Sequence, residues 1–468
     1  MIDLLIFNPW WESAEKIGSD RSIVDYRESK LQWQPKIKGE FDLTQDAVYT
    51  LRGPRQVGKT TLLKMIVNEL LGKEVASRAI FYYSCDLVAK AEELFQVIRQ
   101  YQEFSEPLRF KRRYVFIDEI SLVPAWQNAI KQAIDLGWGT STTFILTGSS
   151  AVDIKRGAER LPGRRGGVPQ PDKVMMPLDF GEFVEACSDI SLDFQHLSIR
   201  AVLEEPGALE RLRSQTEVFL PRLSALLERY LGIGGFPLAV ESFLRKGELT
   251  EDIADTYLSV IRSDFEKMKK SRILLRQVLV RILSLGGSPV SWQSLAKAID
   301  TPSFNTVREY SELLADSFLL IILYFLERNK KMANPNKGKK FYFFDPLLLN
   351  LAHQEAALSA NQSLSLAVEG AVAAHLVRKF ESRLFEGFGS GQRVFYWRSA
   401  KGKEVDFIVS DGESLLPIEV KYQRMINRSD YSTMKRSFGK GMLVTKDTFL
   451  REENIAGIPA SVFLLLGT

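Results

Sequence analysis

The residues with the clearest chemical potential form the segment GPRQVGKTT, which spans 53–61. It matches the pattern G-x-x-x-x-G-K-[ST], a loop whose backbone amides surround phosphate oxygens where a helix begins. Every residue of this loop is expected to help bind a nucleotide: Gly53, Pro54, Arg55, Gln56, Val57, Gly58, Lys59, Thr60 and Thr61. We expect Lys59 to reach the β- and γ-phosphates and the Thr60 hydroxyl to ligate a metal, so the predicted cofactors are ATP and Mg²⁺.

A second segment, YVFIDE at 114–119, ends in adjacent acids. Its four apolar residues predict a buried strand that delivers Asp118 to the carboxyl edge of a sheet, where open α/β sheets bind ligands. There Asp118 would hold Mg²⁺, and Glu119 would polarise the attacking water. The segment LTGSS at 146–150 ends another predicted strand, and Thr147 or Ser149 could contact the γ-phosphate or the water. Capping of the strand end explains these two residues equally well.

The glycine-flanked segment LPGRRGG at 161–167 offers Arg164 and Arg165. A guanidinium on such a loop suits an arginine finger, supplied to its own site or to that of a neighbouring subunit. The alternative is a basic loop that is simply solvated.

These residues need a sheet to bring them together. Short apolar strands alternate with helical segments from residue 47 onward, which predicts an α/β fold with a parallel sheet covered on both faces. The predicted strands are 47–53, 79–85, 113–119 and 142–149. Residues 1–46 read as a polar, irregular extension with an exposed NPWWE, and 155–173 as a loop.

The phosphate loop, FIDEI, LTGSS, the passage GRR…PLDFGEF and GGFP together resemble the AAA-type ATPases of archaea and bacteria. In that family an ATPase module precedes a winged helix and a nuclease-like domain. The pattern along the chain separates an N-terminal extension at 1–46 from segments at 47–175 and 176–270, and the resemblance implies that these are an AAA-type P-loop core and a helical lid or linker. It also implies a homo-oligomer, for which a hexamer is one form.

Residues 271–345 are expected to form a winged helix-turn-helix, because three helical segments precede two strands joined by a basic turn. Basic residues on a wing suit phosphate contacts, and the start of the third helix suits a DNA groove. The expected DNA-binding residues are Asn305, Thr306, Arg308, Lys330, Lys331, Lys337, Lys339 and Lys340. The alternative is a structural lid with a solvated basic loop.

The last segment, 346–468, contains EVDFIV and LLPIEVK, which read as antiparallel strands joined through the turn SDGES at 410–414. This pairing would bring Asp406 near Glu419, with Lys421 on the same face as Glu419. Two carboxylates around a divalent cation, with a lysine beside them, suit phosphodiester hydrolysis. The alternative is an ordinary ion pair on a strand surface.

With Glu369 on an upstream helix, the set resembles the PD-(D/E)XK nuclease fold, a restriction-endonuclease-like α/β domain. Asp406, Glu419 and Glu369 are then the implied metal ligands, and Asp406, Glu419 and Lys421 the implied catalytic residues. Val405 stands where the family has proline.

Composition limits the types of metal ligand and the compartment that the sequence allows. The 468-residue chain has two cysteines and three histidines, so any metal ligands are expected to be oxygens. The longest apolar run, 318–326, is too short to span a bilayer, which predicts a cytoplasmic protein without a membrane partner. The expected function is an ATP-hydrolysing motor that processes duplex or branched DNA, with a metal-dependent nuclease domain as an open question. The alternative is an ATP-dependent regulatory switch whose C-terminal domains are interaction modules.

Overall fold

The computed structural model describes residues 4–191, 197–267, 271–299, 303–356, 364–381, 393–410 and 414–467. Within these residues the chain divides into two compact units, the first ending at Met176 and the second beginning at Pro177. The predicted boundary at 270 and the centre of the predicted turn, 411–413, lie outside the described residues.

The first unit is built on a five-stranded parallel sheet with the strand order β2-β3-β4-β1-β5. Its strands are β1 Ala47–Arg52, β2 Ile80–Ser84, β3 Arg113–Asp118, β4 Thr142–Thr147 and β5 Asp172–Val174. Its helices are α1 Arg21–Glu28, α2 Lys59–Gly72, α3 Ala91–Ser105, α4 Trp126–Asp135 and α5 Ala151–Ala158. The predicted parallel sheet is thus confirmed. The prediction of a loop at 155–173 is wrong at both ends, because α5 extends to Ala158 and β5 begins at Asp172.

Apolar residues on both faces of the strands explain this arrangement. All six residues of β1 and of β4 are buried, as expected for central strands covered by helices on both sides. The turn after β1 passes so close to the chain after β5 that a Cβ atom on Gly53 would lie 2.1 Å from the Met175 carbonyl oxygen. Glycine is therefore required where the phosphate loop begins.

The N-terminal extension covers the edge of this sheet, so the expectation of an exposed NPWWE is wrong. Trp10 and Trp11 are buried, and their indole nitrogens donate to the Ile80 carbonyl oxygen at 3.0 and 2.8 Å. The Asn8 side chain accepts from the Tyr82 amide at 2.7 Å and donates to the Tyr82 carbonyl oxygen at 3.0 Å. Side chains thereby satisfy the backbone groups that an edge strand leaves open.

The second unit begins with helices and continues with three helices followed by a hairpin, the order predicted for 271–345. The helices are α6 Phe180–Cys187, α7 Ile199–Glu204, α8 Ala208–Thr216, α9 Leu220–Ile233, α10 Pro237–Lys246, α11 Glu251–Lys267, α12 Arg272–Ser284, α13 Trp292–Ala298 and α14 Phe304–Asp316. The hairpin consists of β6 Leu320–Glu327 and β7 Met332–Phe343.

An eight-stranded mixed sheet with the order β12-β13-β11-β10-β9-β8-β6-β7 completes the second unit. Its other strands are β8 Val394–Arg398, β9 Glu404–Ser410, β10 Leu415–Lys421, β11 Gly441–Thr445, β12 Leu450–Glu452 and β13 Ile455–Pro459. The accompanying helices are α15 Pro346–Ala356, α16 Leu364–Phe380, α17 Arg428–Phe438 and α18 Ala460–Phe463. Because β6 pairs with β8, the hairpin predicted to close one domain belongs to the sheet of the next.

Across the described residues, the helices are all too short or too polar to cross a membrane.

Candidate nucleotide site and a second carboxylate cluster

The phosphate loop joins the end of β1 to the start of α2. Gly58, in the left-handed conformation at φ 96°, stands before α2, and as a glycine it has no side chain to cap the first turn of this helix. The uncapped N–H groups and the helix dipole make this turn an anion site. Lys59 is buried, and its Nζ donates to the carbonyl oxygens of Gly53 and Pro54 at 3.1 and 2.9 Å. The loop therefore combines a lysine cation with backbone donors, the combination that binds nucleotide phosphates.

The two predicted metal ligands of this site are in direct contact. The Thr60 hydroxyl donates to Oδ2 of Asp118 at 2.7 Å, so the second residue of α2 touches the last residue of β3. Burial raises the pKa of the Asp118 carboxyl, while its hydrogen bond from Thr60 acts in the opposite direction. A hydroxyl and a buried carboxylate side by side form an oxygen pair suited to Mg²⁺.

Two residues that sequence reasoning missed support Asp118. The Tyr82 hydroxyl, on β2, donates to Oδ2 of Asp118 at 3.0 Å. The Lys64 ammonium lies 3.4 Å from the centre of the Tyr82 ring and 3.0 Å from the Asp20 carboxylate. Lys64 lies one turn after Thr60 in α2, but Asp20 belongs to the extension, where no motif signals a partner.

Glu119 and Ser149 are also brought together. Glu119 has a positive φ of 52°, and its Oε2 accepts a hydrogen bond from the Ser149 amide at 2.9 Å. Thr147 is fully buried instead, with its hydroxyl donating to the Leu51 carbonyl oxygen at 3.0 Å. The expectation that Thr147 contacts the γ-phosphate is therefore not supported, because this hydroxyl is used between β4 and β1. Ser149 is the residue of the pair that lies beside Glu119.

The two candidate finger arginines lie away from the phosphate loop of their own chain. Arg164 binds Asp135, the last residue of α4, at 2.6 Å. Arg165 donates to Asp172 at 2.7 Å and to the Val48 carbonyl oxygen at 3.1 Å. Val48 precedes Gly53 by about 16 Å of parallel strand. These contacts do not support a finger role for Arg165 in its own site, and a role for either arginine in a neighbouring site stays a prediction.

The lysines predicted for the wing divide into two groups. The tip of the hairpin, 328–331, carries exposed Lys330 and Lys331, and exposed Lys337 lies where the pairing of β6 with β7 shifts register. Lys339 and Lys340 are buried, so the expectation that they contact DNA is wrong. Lys339 donates to the Pro335 carbonyl oxygen at 2.6 Å, and the Lys340 ammonium contacts carboxylates, among them Glu369.

The predicted residues of the third helix lie at the start of α14. Asn305 is exposed and Thr306 half-buried. Arg308 is exposed, but it forms an ion pair with Glu312 at 2.7 Å, so its charge is already partly balanced.

The carboxylate cluster lies on the eight-stranded sheet. β9 and β10 pair antiparallel as predicted, with Ile418 opposite Phe407, and Asp406 Oδ2 accepts from the Val420 amide at 3.0 Å. Glu419 and Lys421 project from the same strand face, and the Lys421 ammonium lies 2.6 Å from Glu419 Oε1. Burial and the nearby Asp406 raise the pKa of Glu419 to about 8. The structure thus brings the predicted strand residues together.

Three further residues of the cluster were not predicted for it. The Lys340 ammonium lies 3.0 Å from Glu369, 2.8 Å from Glu404 and 3.5 Å from Asp406. The Tyr342 hydroxyl donates to Glu369. Lys340 and Tyr342 come from β7, so the hairpin supplies one cation and one hydroxyl to the carboxylates of α16 and β9.

A divalent metal does not fit this cluster. In its favour, Oε2 of Glu419 is a buried oxygen without a hydrogen-bond partner among the described residues. Against it, a lysine cation already contacts Glu369, Glu404 and Asp406. The described part of the chain also contains no group of three or more His, Cys, Asp or Glu side chains that could hold a metal. The expectation that Glu369, Asp406 and Glu419 bind Mg²⁺ is therefore not supported.

Family models match three segments of the chain. Residues 45–184 match the AAA domain family, while 224–360 and 366–460 match two families described as domains of unknown function (DUF8612 and DUF4143). The uncharacterized protein MJ1637 of Methanocaldococcus jannaschii is 23% identical over 427 residues, covering 89% of this chain and 84% of its own.

Two archaeal proteins are among the solved structures that the comparison found. The Walker-type ATPase PABY2304 of Pyrococcus abyssi has a TM-score of 0.43 and 15% identity, covering 71% of this chain and 97% of its own. The ORC2 protein of Aeropyrum pernix has a TM-score of 0.34 and 13% identity, covering 66% of this chain and 88% of its own. Together with the geometry of the phosphate loop, the family match identifies residues 45–184 as an AAA-type P-loop ATPase domain.

Proposed function

We propose that this protein hydrolyses ATP at the phosphate loop with Mg²⁺ held by Thr60 and Asp118, and that it couples turnover to DNA binding. The observation that carries the proposal is the 2.7 Å contact between Thr60 and Asp118 at the end of the phosphate loop. When bound, Mg²⁺ would neutralise charge on the β- and γ-phosphate oxygens. Lys59 would leave the Gly53 and Pro54 carbonyl oxygens to bind the same phosphates.

Glu119 is the proposed general base. One of its oxygens, Oε2, is held by the Ser149 amide, which fixes the carboxylate at the edge of the sheet. Its other oxygen, Oε1, would then accept a proton from the attacking water and so strengthen the nucleophile. Ser149 is a positioning residue in this scheme, because it acts on the water only through Glu119.

The hairpin is the proposed DNA contact. Arg328, Lys330 and Lys331 at its tip and Lys337 on β7 are exposed, whereas Glu327 is the neighbouring acid. Such cations bind phosphates without reading sequence, so their contribution should depend steeply on salt. Asn305 and Thr306 at the start of α14 are the proposed groove contacts.

Phosphate release measured with and without single-stranded, duplex and branched DNA tests the proposal. We expect DNA to stimulate turnover several-fold. Replacing Lys330, Lys331 and Lys337 with alanine should remove the stimulation while basal turnover stays within twofold. The slope of log affinity against log salt should also shrink by about one for each lost contact.

A matched variant with Lys73, Lys111 and Lys246 replaced removes the same charge at other exposed positions and should behave like the wild type. Turnover that no DNA changes would contradict the coupling. It would favour the alternative, a regulatory switch in which the second unit serves as an interaction module.

We also propose that the active form is a homo-oligomer in which Arg164 serves the site of a neighbouring subunit. Its ion pair with Asp135, with the Arg164 side chain 29% exposed, leaves it accessible for exchange of partners. Mixing Arg164→Ala with Glu119→Gln protein should restore turnover at interfaces that combine an intact arginine with an intact base. Mixed oligomers without restored turnover would contradict this role.

A further inference from the structure

A buried lysine stands at the centre of the carboxylate cluster of the second unit. Lys340 is 2% exposed, and its ammonium contacts carboxylate oxygens of Glu369, Glu404 and Asp406 at 2.8 to 3.5 Å. These three acids come from α16 and β9, and the lysine comes from β7. The contact therefore joins the hairpin to two other elements of the same unit.

The lysine contacts carboxylate oxygens of Glu369, Glu404 and Asp406 that a divalent cation would also need as ligands. An ammonium has three N–H donors and no acceptor, so it can bind three carboxylates at once. A Mg²⁺ or Ca²⁺ ion would need the same oxygens at about 2.0–2.6 Å. The ion and the ammonium would then be crowded together with like charges in a buried site, which is strongly unfavourable.

The lysine carries its charge in this setting. Burial disfavours the charged form, but the neighbouring acidic groups, Tyr342, Glu369 and Asp406 foremost, hold the pKa of its ammonium well above the usual value. The second lysine, Lys421, is used by Glu419 at 2.6 Å. Each lysine therefore contacts different carboxyl groups of the cluster.

We propose that Lys340 is a built-in cation that takes the place of a divalent metal, so that this cluster joins β7 to α16 and β9 and does not support metal-dependent cleavage of DNA. Removal of the lysine should then leave Glu369, Glu404 and Asp406 as an open oxygen site. Such a site would bind Mn²⁺ or Mg²⁺ because these ions prefer clustered carboxylates. The proposal does not depend on the ATPase activity.

Calorimetric titration with Mn²⁺, without nucleotide, tests the proposal. All proteins carry Asp118→Asn, which removes the metal ligand of the phosphate loop. Lys340→Met should bind Mn²⁺ at least tenfold more tightly than the parent, and adding Asp406→Asn should abolish the binding. The matched control is Lys339→Met, which removes the neighbouring buried lysine from the side of the strand that faces Trp292 and should bind no Mn²⁺.

Folded Lys340→Met protein that binds no more Mn²⁺ than Lys339→Met would overturn the proposal. If Lys340→Met does not fold without metal but folds with Mn²⁺, the proposal is supported. If Lys340→Met folds in neither condition, Mn²⁺ binding by the parent protein becomes the test. Mn²⁺ binding by the parent that Asp406→Asn removes would overturn the proposal, and the absence of such binding would support it.

Discussion

Asp118 lies on the sheet of the first unit and Asp406 on the sheet of the second, and each contacts residues from other elements. The two carboxylates differ in the charge of the groups that contact them. The Asp118 carboxylate accepts hydrogen bonds from the uncharged hydroxyl groups of Thr60 and Tyr82, and the Lys64 ammonium lies behind the Tyr82 ring. At Asp406 the neighbour is the ammonium of Lys340. At the first site hydroxyl groups contact the carboxylate, whereas at the second a protein cation contacts three carboxyl groups.

The comparison shows that a set of carboxylates does not define a metal site until the groups facing it are known. Glu369, Asp406, Glu419 and Lys421 are together, as their pattern predicts. The residue that decides what they bind, Lys340, comes from the preceding hairpin. At the phosphate loop, by contrast, the deciding residues lie within two short motifs.

Separate substitutions in the phosphate loop and in the carboxylate cluster test whether the two sites act independently. Lys59→Ala should reduce ATP turnover at least about a hundredfold, because a cation that would stabilise the transferring phosphate is lost. Asp406→Asn should leave turnover within twofold, since its carboxylate faces Lys340. Phosphate release by both purified variants checks this, and comparable losses in both would show that the sites are not independent.

The next largest effect is expected at the proposed base. Glu119→Gln keeps the shape of the side chain but cannot accept a proton, so turnover should fall about a hundredfold while ATP binding persists. Fluorescent nucleotide titration and phosphate release measure the two quantities. If binding and turnover fall together, Glu119 acts in binding and the assignment as base is wrong.

The carboxylate cluster should give the protein a distinctive pH dependence. The pKa of Glu419 is raised to about 8 in the folded state, so between about pH 4.5 and 8 the folded protein holds a proton that the unfolded chain has lost. Stability must therefore fall as pH rises through this range, by at most about 1.4 kcal/mol per pH unit from this group.

Glu419→Gln should remove this part of the slope, so the variant should be about as stable as wild type at pH 5 and more stable at pH 9. Glu453→Gln, at an exposed glutamate, is the control and should keep the wild-type slope. Urea unfolding at both pH values measures the difference. A Glu419→Gln slope equal to the wild-type slope would mean that this carboxyl titrates normally.

A smaller effect is expected at Tyr82, which donates to Asp118. Tyr82→Phe removes one donor to Asp118 and should raise the Mg²⁺ concentration needed for half-maximal turnover about fivefold, which corresponds to about 1 kcal/mol for one hydrogen bond. The turnover at saturating Mg²⁺ should change less than twofold. An unchanged Mg²⁺ requirement would show that Tyr82 supports the fold rather than the ligand.

The sequence predicted those parts of the molecule that depend on local pattern. Four of the five strands of the first unit's sheet, the phosphate loop and the antiparallel pairing of β9 with β10 follow from apolar runs, glycines and period-two alternation. The segment NPWWE was misjudged because its burial depends on β2, about 70 residues away. No local pattern in the segment indicates that it covers a sheet edge.

Lys340 was misjudged for a related reason. The segment KGKK at 337–340 reads as a solvated basic turn, and composition does not distinguish a lysine that meets water from one that meets three carboxylates. The register shift within the hairpin exposes Lys337 and buries Lys339 and Lys340. Such a shift depends on tertiary packing, which single-sequence patterns do not contain.

One reaction tests the contrast between the two sites most directly. Wild-type protein is incubated with ATP, end-labelled duplex and branched DNA, and Mg²⁺ or Mn²⁺, and both phosphate release and DNA length are followed. We expect phosphate to be released, Lys59→Ala to abolish that release, and the DNA to remain intact throughout. DNA cleavage by the wild type that Asp406→Asn removes would contradict the assignment of Lys340 as the cation of the second site.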